Sequence, residues 1–336
     1  MKKIHIILCS ALLGICVLTG CGKSDNASNQ KNVSVSNKMD ENENNADTNI
    51  DDSQSISYSA DDLTYAMVYN ANNGFELLSK YDSIEYVLTY MPGDNTENEE
   101  ETSETWDLFK ENGNYVISRV SDTGEGEVYA DNTCYYMDKT ADKDNPKYSK
   151  GWFMDGVYEE YMQKSVNEFL ISESSQEDFD KIEENDDNYV ILSYAGENGD
   201  ERYYYRYTVD KTNLQIQSYE AVIMKTVNLK TEEEIIAKAK VSYNKKVKVP
   251  GFVSEIKDAN VNNRKVTIHV LNEDGSSKDD IIFEVPQNVT MAAALEDGYG
   301  LYKDKDGKLL FDDTATELDE NNVYPDSVCY LIKDTK

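Results

Sequence analysis

Histidine is almost missing from this chain. Two occur in 336 residues, His5 and His269. A histidine-based zinc centre, a Ser-His-Asp triad and a Cys-His pair each need His beside defined partners. His5 sits in the N-terminal stretch treated below, and His269, alone on a strand pattern, reads as a structural residue. No Gly-rich phosphate loop is present either. The residues therefore mark no cofactor and no metal. Positive charge is sparse: 33 Lys and Arg stand against 65 Asp and Glu, a formal net charge of −32. Such a surface repels nucleic acid and anionic headgroups, and an acidic balance also serves solubility. Only four arginines occur: Arg119, Arg202, Arg206 and Arg264. Of five cysteines, Cys9, Cys16 and Cys21 crowd the N-terminus. Cys134 and Cys329 fall in different expected domains, each in an apolar-rich strand. An exported protein permits a disulfide; two buried thiols are the commoner outcome.

The N-terminus is the most telling segment. Lys2 and Lys3 precede an apolar stretch, Ile4–Leu18, too short to span a bilayer, and Leu18-Thr19-Gly20-Cys21 closes it. A charged start, a short apolar core and a small-residue cleavage site make a secretory signal rather than a transmembrane helix. Leu-Thr-Gly-Cys resembles the lipobox of bacterial lipoproteins. That resemblance implies removal of residues 1–20 and acylation of Cys21, a palmitate-type anchor at the outer face of the cell membrane. Each buried CH₂ of an acyl chain contributes about 0.8 kcal/mol, so several chains anchor durably. Residues 22–57 hold no aromatic residue and are rich in Asn, Ser, Asp, Glu and Lys. They cannot bury enough apolar surface to fold, and as a flexible tether they reach about 30–36 Å.

From Tyr58 the pattern becomes that of a folded chain. Leu63, Ala66, Met67 and Asn70 lie at helical spacing, Asn73-Gly74 interrupts, and Phe75, Leu77 and Leu78 resume. Ile84, Tyr86, Leu88 and Tyr90 then alternate as a strand. An acidic loop, Asp94–Glu104, follows. Trp106–Val120 folds about Asn112-Gly113, a strong hairpin signal, and Val128–Tyr136 turns at Asp131-Asn132. Residues 138–150 read as a loop. Val157–Leu170 is the clearest helix, its stripe made by Tyr158, Tyr161, Met162, Ser165, Val166 and Phe169. Ser174 and Glu177 suggest a capping box. Strands return at Tyr189–Ala195, Arg202–Val209 and Leu214–Met224. Thr231 to Glu234 mimic a helix cap, yet Ile235, Ala237, Ala239, Val241 and Tyr243 alternate, which predicts a strand. Tyrosine is abundant, 21 of 25 between Tyr58 and Tyr243, and it suits a half-buried pleated surface. After Pro250-Gly251 the character shifts. A hairpin (Val266–Leu271, Ile281–Val285), a short helix (Met291–Asp297) and strands at Leu301-Tyr302 and Val328–Ile332 make a small module loosely like a β-grasp.

The middle of the chain resembles the Lol-type lipoprotein-carrier superfamily, which includes LppX-like lipoproteins. The resemblance covers about residues 59–250. It rests on a helix ending in Leu77-Leu78-Ser79-Lys80-Tyr81-Asp82-Ser83 before long antiparallel strands. It rests also on Tyr207-Thr208-Val209-Asp210-Lys211-Thr212-Asn213-Leu214, similar to that group's hairpin, and on a late Val249-Pro250. It implies a strongly curved half-barrel with helices on its open side, acyl chains held there in several members, and no catalytic residue. The acidic loop and the C-terminal module depart from the pattern.

The expected organisation is a signal peptide (1–20), a lipidated Cys and tether (21–57), a curved-sheet domain (58–250) and a small α+β domain (251–336). The fold class is α+β. On a strand, Tyr203, Tyr205 and Tyr207 share one face, and Arg202 and Arg206 the other. The arginine pair suits a phosphate or carboxylate head, against the plainer reading of cross-strand ion pairs. The tyrosines, facing Tyr158, Met162 and Phe169, suit an amphipathic ligand, against the plainer reading of a filled core. Asp304-Lys305-Asp306-Gly307 misses the EF-hand pattern, because the first ligand position falls on Tyr302. No carboxylate pair is singled out for catalysis. The functional expectation is a non-catalytic, membrane-tethered lipoprotein that binds a lipid-like molecule or an envelope partner. The alternative is a structural or sensory module with a closed core.

Overall fold

Two asparagines split what one helical pattern would have joined. In a computed structural model of the chain, which describes residues 59–92, 100–172, 179–227, 230–257 and 262–333, α1 spans Tyr65–Ala71 and α2 spans Gly74–Lys80. The Asn73 side chain caps α2 by accepting from the Phe75 N–H at 2.9 Å, satisfying a donor that the helix start leaves open. Cys21, the signal, the tether, the first part of the acidic loop (94–99) and the Ser174/Glu177 pair lie outside the described residues, and the end of that expected loop, 102–104, is strand instead.

Twelve strands form one open, curved sheet. They are β1 (Ser83–Tyr90), β2 (Thr102–Glu111), β3 (Asn114–Ser121), β4 (Glu125–Ala130), β5 (Thr133–Asp138), β6 (Lys147–Phe153), β7 (Lys181–Glu184), β8 (Asn188–Asn198), β9 (Glu201–Asp210), β10 (Ile216–Val227), β11 (Lys230–Tyr243) and, from far along the chain, β14 (Thr290–Ala294). The order is β14-β6-β5-β4-β3-β2-β1-β11-β10-β9-β8-β7. Two antiparallel meanders are therefore joined through β1 and β11, with Tyr86 opposite Val241. The tight turns follow from sequence. Asn112 and Gly113 both have positive φ, as do Asp131 and Asn132, the backbone that two-residue hairpins require.

The inner face carries the main core. Leu77 of α2, Val166 of α3 (Val157–Asn167) and Phe169 pack with Tyr86, Trp106, Leu108, Ile117, Tyr207 and Tyr219 of the sheet. The half-barrel with helices on one side, expected from the resemblance, is the observed architecture. The outer face of β2 to β5 is covered as well. Phe252, Val253 and Ile256 of α4 (Gly251–Lys257) pack on Phe109, Val116, Val128, Ala130 and Tyr135. Each buried Val, Ile or Phe there contributes roughly 1.5–3 kcal/mol by leaving water.

The C-terminal sheet has the order β13-β12-β16-β15, from β12 (Asn263–Leu271), β13 (Ser277–Pro286), β15 (Tyr299–Tyr302) and β16 (Ser327–Lys333). β12 and β16 run parallel at its centre, the β-grasp-like feature. Three local expectations are corrected. The helix expected over Met291–Asp297 is strand β14, which pairs parallel with β6. A short helix has little stability of its own, so tertiary pairing decides, and here pairing with β6 satisfies the backbone. The loop expected over 138–150 is partly strand β6. The helix expected over Val157–Leu170 ends at Asn167.

Candidate functional site

The inner wall of β1 to β5 carries a row that strand alternation builds. Tyr86 lies opposite Trp106, Trp106 opposite Arg119, Arg119 opposite Glu127, and Glu127 opposite Tyr136. Side chains directly opposite on one face touch. Arg119 reaches Glu104 at 2.5 Å, Glu125 at 3.4 Å and Glu127 at 3.9 Å. Its guanidinium also lies 5.7 Å from the Trp106 ring centre. Glu104 accepts from the Trp106 indole N–H at 3.1 Å and from the Tyr90 hydroxyl at 3.4 Å. Three carboxylates thus share one guanidinium in a half-buried wall.

Burial sets the electrostatics here. Burial alone would lower the Arg119 pKa; the hydrogen bond to Glu104 and the charges of Glu104, Glu127 and Glu125 outweigh it and raise it. Glu127 is pushed up by burial, against its bonds from Tyr129 and Tyr136 and the charge of Arg119. Beside it, Cys134 is free and buried, and burial together with Glu127 pushes its thiol well above the ordinary value. Cys329 is likewise free, pushed up to about 12 by burial first and by Asp313 second. A thiol that keeps its proton is a poor nucleophile. The Arg119 Nε atom is buried without a hydrogen-bond partner among the described residues.

From this polar row an aromatic bank crosses the sheet. Phe169 and Tyr86 ring centres are 5.2 Å apart, Tyr86 and Tyr219 6.0 Å, Tyr219 and Tyr207 6.0 Å, and Tyr207 and Tyr205 6.0 Å. A second bank joins Tyr129 to Tyr161 at 4.6 Å and Phe153 to Tyr158 at 5.0 Å. These separations suit aromatic pairs.

The residues expected at a ligand site divide. Tyr158, Met162, Phe169 and Tyr207 are buried in the main core, and half-buried Tyr205 packs against it. Tyr203, farther along β9, is half-buried and donates to Glu201 at 2.9 Å. Arg202 and Arg206 stand on the opposite face and take no part in the bank. Arg206 bonds Glu220, its cross-strand neighbour, at 2.9 Å and Glu233 at 2.6 Å. Arg202 lies 3.9 Å from Glu197. Trp152 packs with the C-terminal module, whereas Phe153 joins the inner core. Sequence reasoning missed the Arg119 group. Its one signal was the rarity of arginine, because the pairing that assembles Glu104, Arg119 and Glu127 spans three strands.

No family model matches the chain, and no curated protein does. Solved structures similar to part of it include the following two. One is a DUF1329 family protein from Desulfovibrio piger, 10% identical, covering 56% of this chain and 95% of that one at a TM-score of 0.23. The other is the LolA superfamily protein NE2245 from Nitrosomonas europaea, 12% identical, covering 54% of this chain and 96% of that one at a TM-score of 0.21. The half-barrel description rests on this chain's own strand order and register.

Proposed function

We infer that the protein is a lipoprotein held at the outer face of the cell membrane through Cys21, and that its half-barrel binds a lipid-like, amphipathic ligand without catalysis. The observation that carries this reading is the inner face itself. A continuous aromatic bank runs from buried Phe169 to half-buried Tyr205, next to the polar group around Arg119. An apolar surface with a few convergent polar groups is what such ligands need. Cys21 remains the basis for the anchor, since only the sequence speaks to it. Cys21→Ser is expected to release the protein from the membrane fraction or to leave its signal uncleaved. A variant both processed and membrane-bound would refute the anchor.

A second reading is favoured by burial. Phe169 is 1% exposed, Tyr207 2% and Met162 7%, so the same side chains serve as a closed core that supports binding to an envelope protein elsewhere. Native mass spectrometry of the full chain, with extraction of copurified lipid, separates the two. Copurified lipid whose uptake falls in Tyr205→Ala or Met162→Trp, with the fold kept, supports the ligand site. A wild-type protein that takes up no lipid, and variants that lose only stability, support the closed core.

A further inference from the structure

Five large hydrophobic side chains stand exposed among the described residues, and all five belong to the C-terminal module: Ile282, Leu309, Leu310, Leu318 and Val328. Strand register puts three of them on one face. Val266, Ile268 and Leu331 turn inward and pack in one cluster with Trp152 of the half-barrel. Alternation turns their strand neighbours the other way. Ile282 lies opposite Thr267, and Thr267 opposite Val328. In the next row Asp280, His269, Tyr330, Tyr302 and Leu310 lie opposite one another in turn. Ile282 is 57% exposed, Val328 51% and Leu310 53%, with Tyr302 and Tyr330 half-buried among them. The charges on this face balance. Asp280 is 2.6 Å from His269, Glu284 lies opposite Lys265, and the Lys305 ammonium is 5.9 Å from the Tyr330 ring centre. Two lysines thus stand against two carboxylates, whereas the whole chain has a formal net charge of −32.

We propose that this face of the C-terminal sheet rests on the lipid bilayer, with Ile282, Val328 and Leu310 entering the boundary between headgroups and acyl chains. The spread of these side chains favours a lipid surface. Ile282 is on edge strand β13 and Leu310 lies beyond β15 at the other edge, so the apolar groups span the whole width of the sheet. Tyrosine rings suit the interface between water and acyl chains. Lysine stems can lie on apolar surface while the ammonium stays among headgroups. Elsewhere the acidic surface is repelled by anionic headgroups; this balanced face is not. Reach permits the contact. The described chain begins beside β7, at one end of the large sheet, and the C-terminal module joins at the other end through β14. Twelve strands about 4.8 Å apart make that sheet roughly 50 Å along its arc. Residues 22–57, between Cys21 and that beginning, span at most about 120 Å when extended. Such contact rests on the membrane-held reading above and gives the chain a second point of attachment. It would hold the half-barrel between Cys21 and this face instead of letting it swing on one tether.

The test uses the full chain in vesicles of phosphatidylethanolamine and phosphatidylglycerol, with a nitroxide on Ile282→Cys. Cys134 and Cys329 are buried and do not compete for the label. Electron paramagnetic resonance reads how well oxygen and a water-soluble nickel chelate reach that label. The oxygen-to-chelate ratio is expected to be at least about threefold higher than in the same labelled chain carrying Val328→Asp and Leu310→Asp, as for a group that enters the acyl boundary. Circular dichroism reports whether the fold is kept. If the double variant does not fold, a label on Leu310→Cys replaces the comparison, and Ile282→Asp is expected to lower its ratio by at least about half. Cosedimentation reads the anchor separately. A chain that fails to cosediment refutes the anchor, and the same label, with vesicles added to the chain, still reads the face. Two results would overturn the proposal. One is a label that stays as accessible to the chelate as in the Asp variants. The other is dipolar broadening between labels that disappears on dilution with unlabelled protein, which would show a second copy on this face.

Discussion

Asn72 accepts a hydrogen bond from the backbone N–H of Ile216 at 2.8 Å, across 144 positions of chain. Its amide nitrogen donates to the Leu214 carbonyl at 2.8 Å and to the Val68 carbonyl at 2.8 Å. The side chain is fully buried. One asparagine therefore ties the end of α1 to the turn between β9 and β10, where Leu214 adopts a positive φ of 59°.

Asn72→Ala is expected to destabilise the half-barrel by about 2–4 kcal/mol, because it leaves buried backbone groups unsatisfied at both ends of that link. Urea unfolding of the full chain measures it. A loss under about 0.5 kcal/mol, the level of a neutral surface change, would show that the link is dispensable.

Asp107 makes stability depend on pH. On the outer face of β2, its carboxyl is pushed up to about 6 by burial and by the neighbouring Glu85 charge, with Ser118 and Lys245 opposing. One of its oxygens is buried without a partner among the described residues. The unfolded carboxyl releases its proton near the ordinary value of about 3.9. Between these values the folded state binds more protons, so stability is highest below about pH 4 for this group and falls as pH rises through about 6. Asp107→Asn is expected to stabilise by about 1–3 kcal/mol at pH 7.5 and by almost nothing at pH 4. Equal effects at both pH values would refute the assignment.

Gly74 marks a close approach of α2 to the end of α3. A Cβ there would collide with the Val166 carbonyl oxygen and come within 2.8 Å of a Leu108 methyl. The obstacle on one side is backbone, which yields little. Gly74→Ala is expected to cost about 1–2 kcal/mol: overpacking of about 1–3 kcal/mol is offset in part by better helix propensity, at most about 1 kcal/mol. Thermal unfolding decides it, and a rise in Tm would contradict the packing argument.

In the C-terminal sheet, Arg264 and Asp313 form a fully buried ion pair. Arg264 also donates to the Val289 carbonyl at 3.1 Å, and Asp313 accepts from the Met291 N–H at 2.7 Å. The pair thus holds the start of β14 to β12. Asp313→Ala leaves a buried guanidinium without its partner, at an expected cost of about 3–5 kcal/mol. Hydrogen exchange is expected to rise in β12 and β16 and to change little in β1 and β11. Uniform loss of protection across both sheets would mean that they unfold as one unit.

Much of the half-barrel was legible because its signals are local. Asn112-Gly113 and Asp131-Asn132 dictate hairpins through the backbone they tolerate. The alternation from Ile235 to Tyr243 outweighed a helix-cap mimic just before it, and β11 follows that alternation. The stripe from Tyr158 to Val166 matches a helix buried on one side. The Arg119 group was not legible. Glu104, Arg119 and Glu127 lie on three strands, and only pairing register places them on one row. The arginine pair on β9 was readable as ionic, but the carboxylates that meet Arg206 come from β10 and β11.

By itself the sequence determined the elements whose causes lie within about ten residues: most strands, the tight turns, the division between α1 and α2, and the lipobox-like segment ending at Cys21. Tertiary structure alone decided which strands meet. β1 pairs with β11 across more than a hundred residues, α4 covers the outer face, and Thr290–Ala294 becomes a strand beside β6 instead of the start of a helix. The physical reason is one of range. Turn chemistry and side-chain period act on neighbours, whereas a ladder hydrogen bond or a buried ring depends on surfaces that exist only once distant segments have come together.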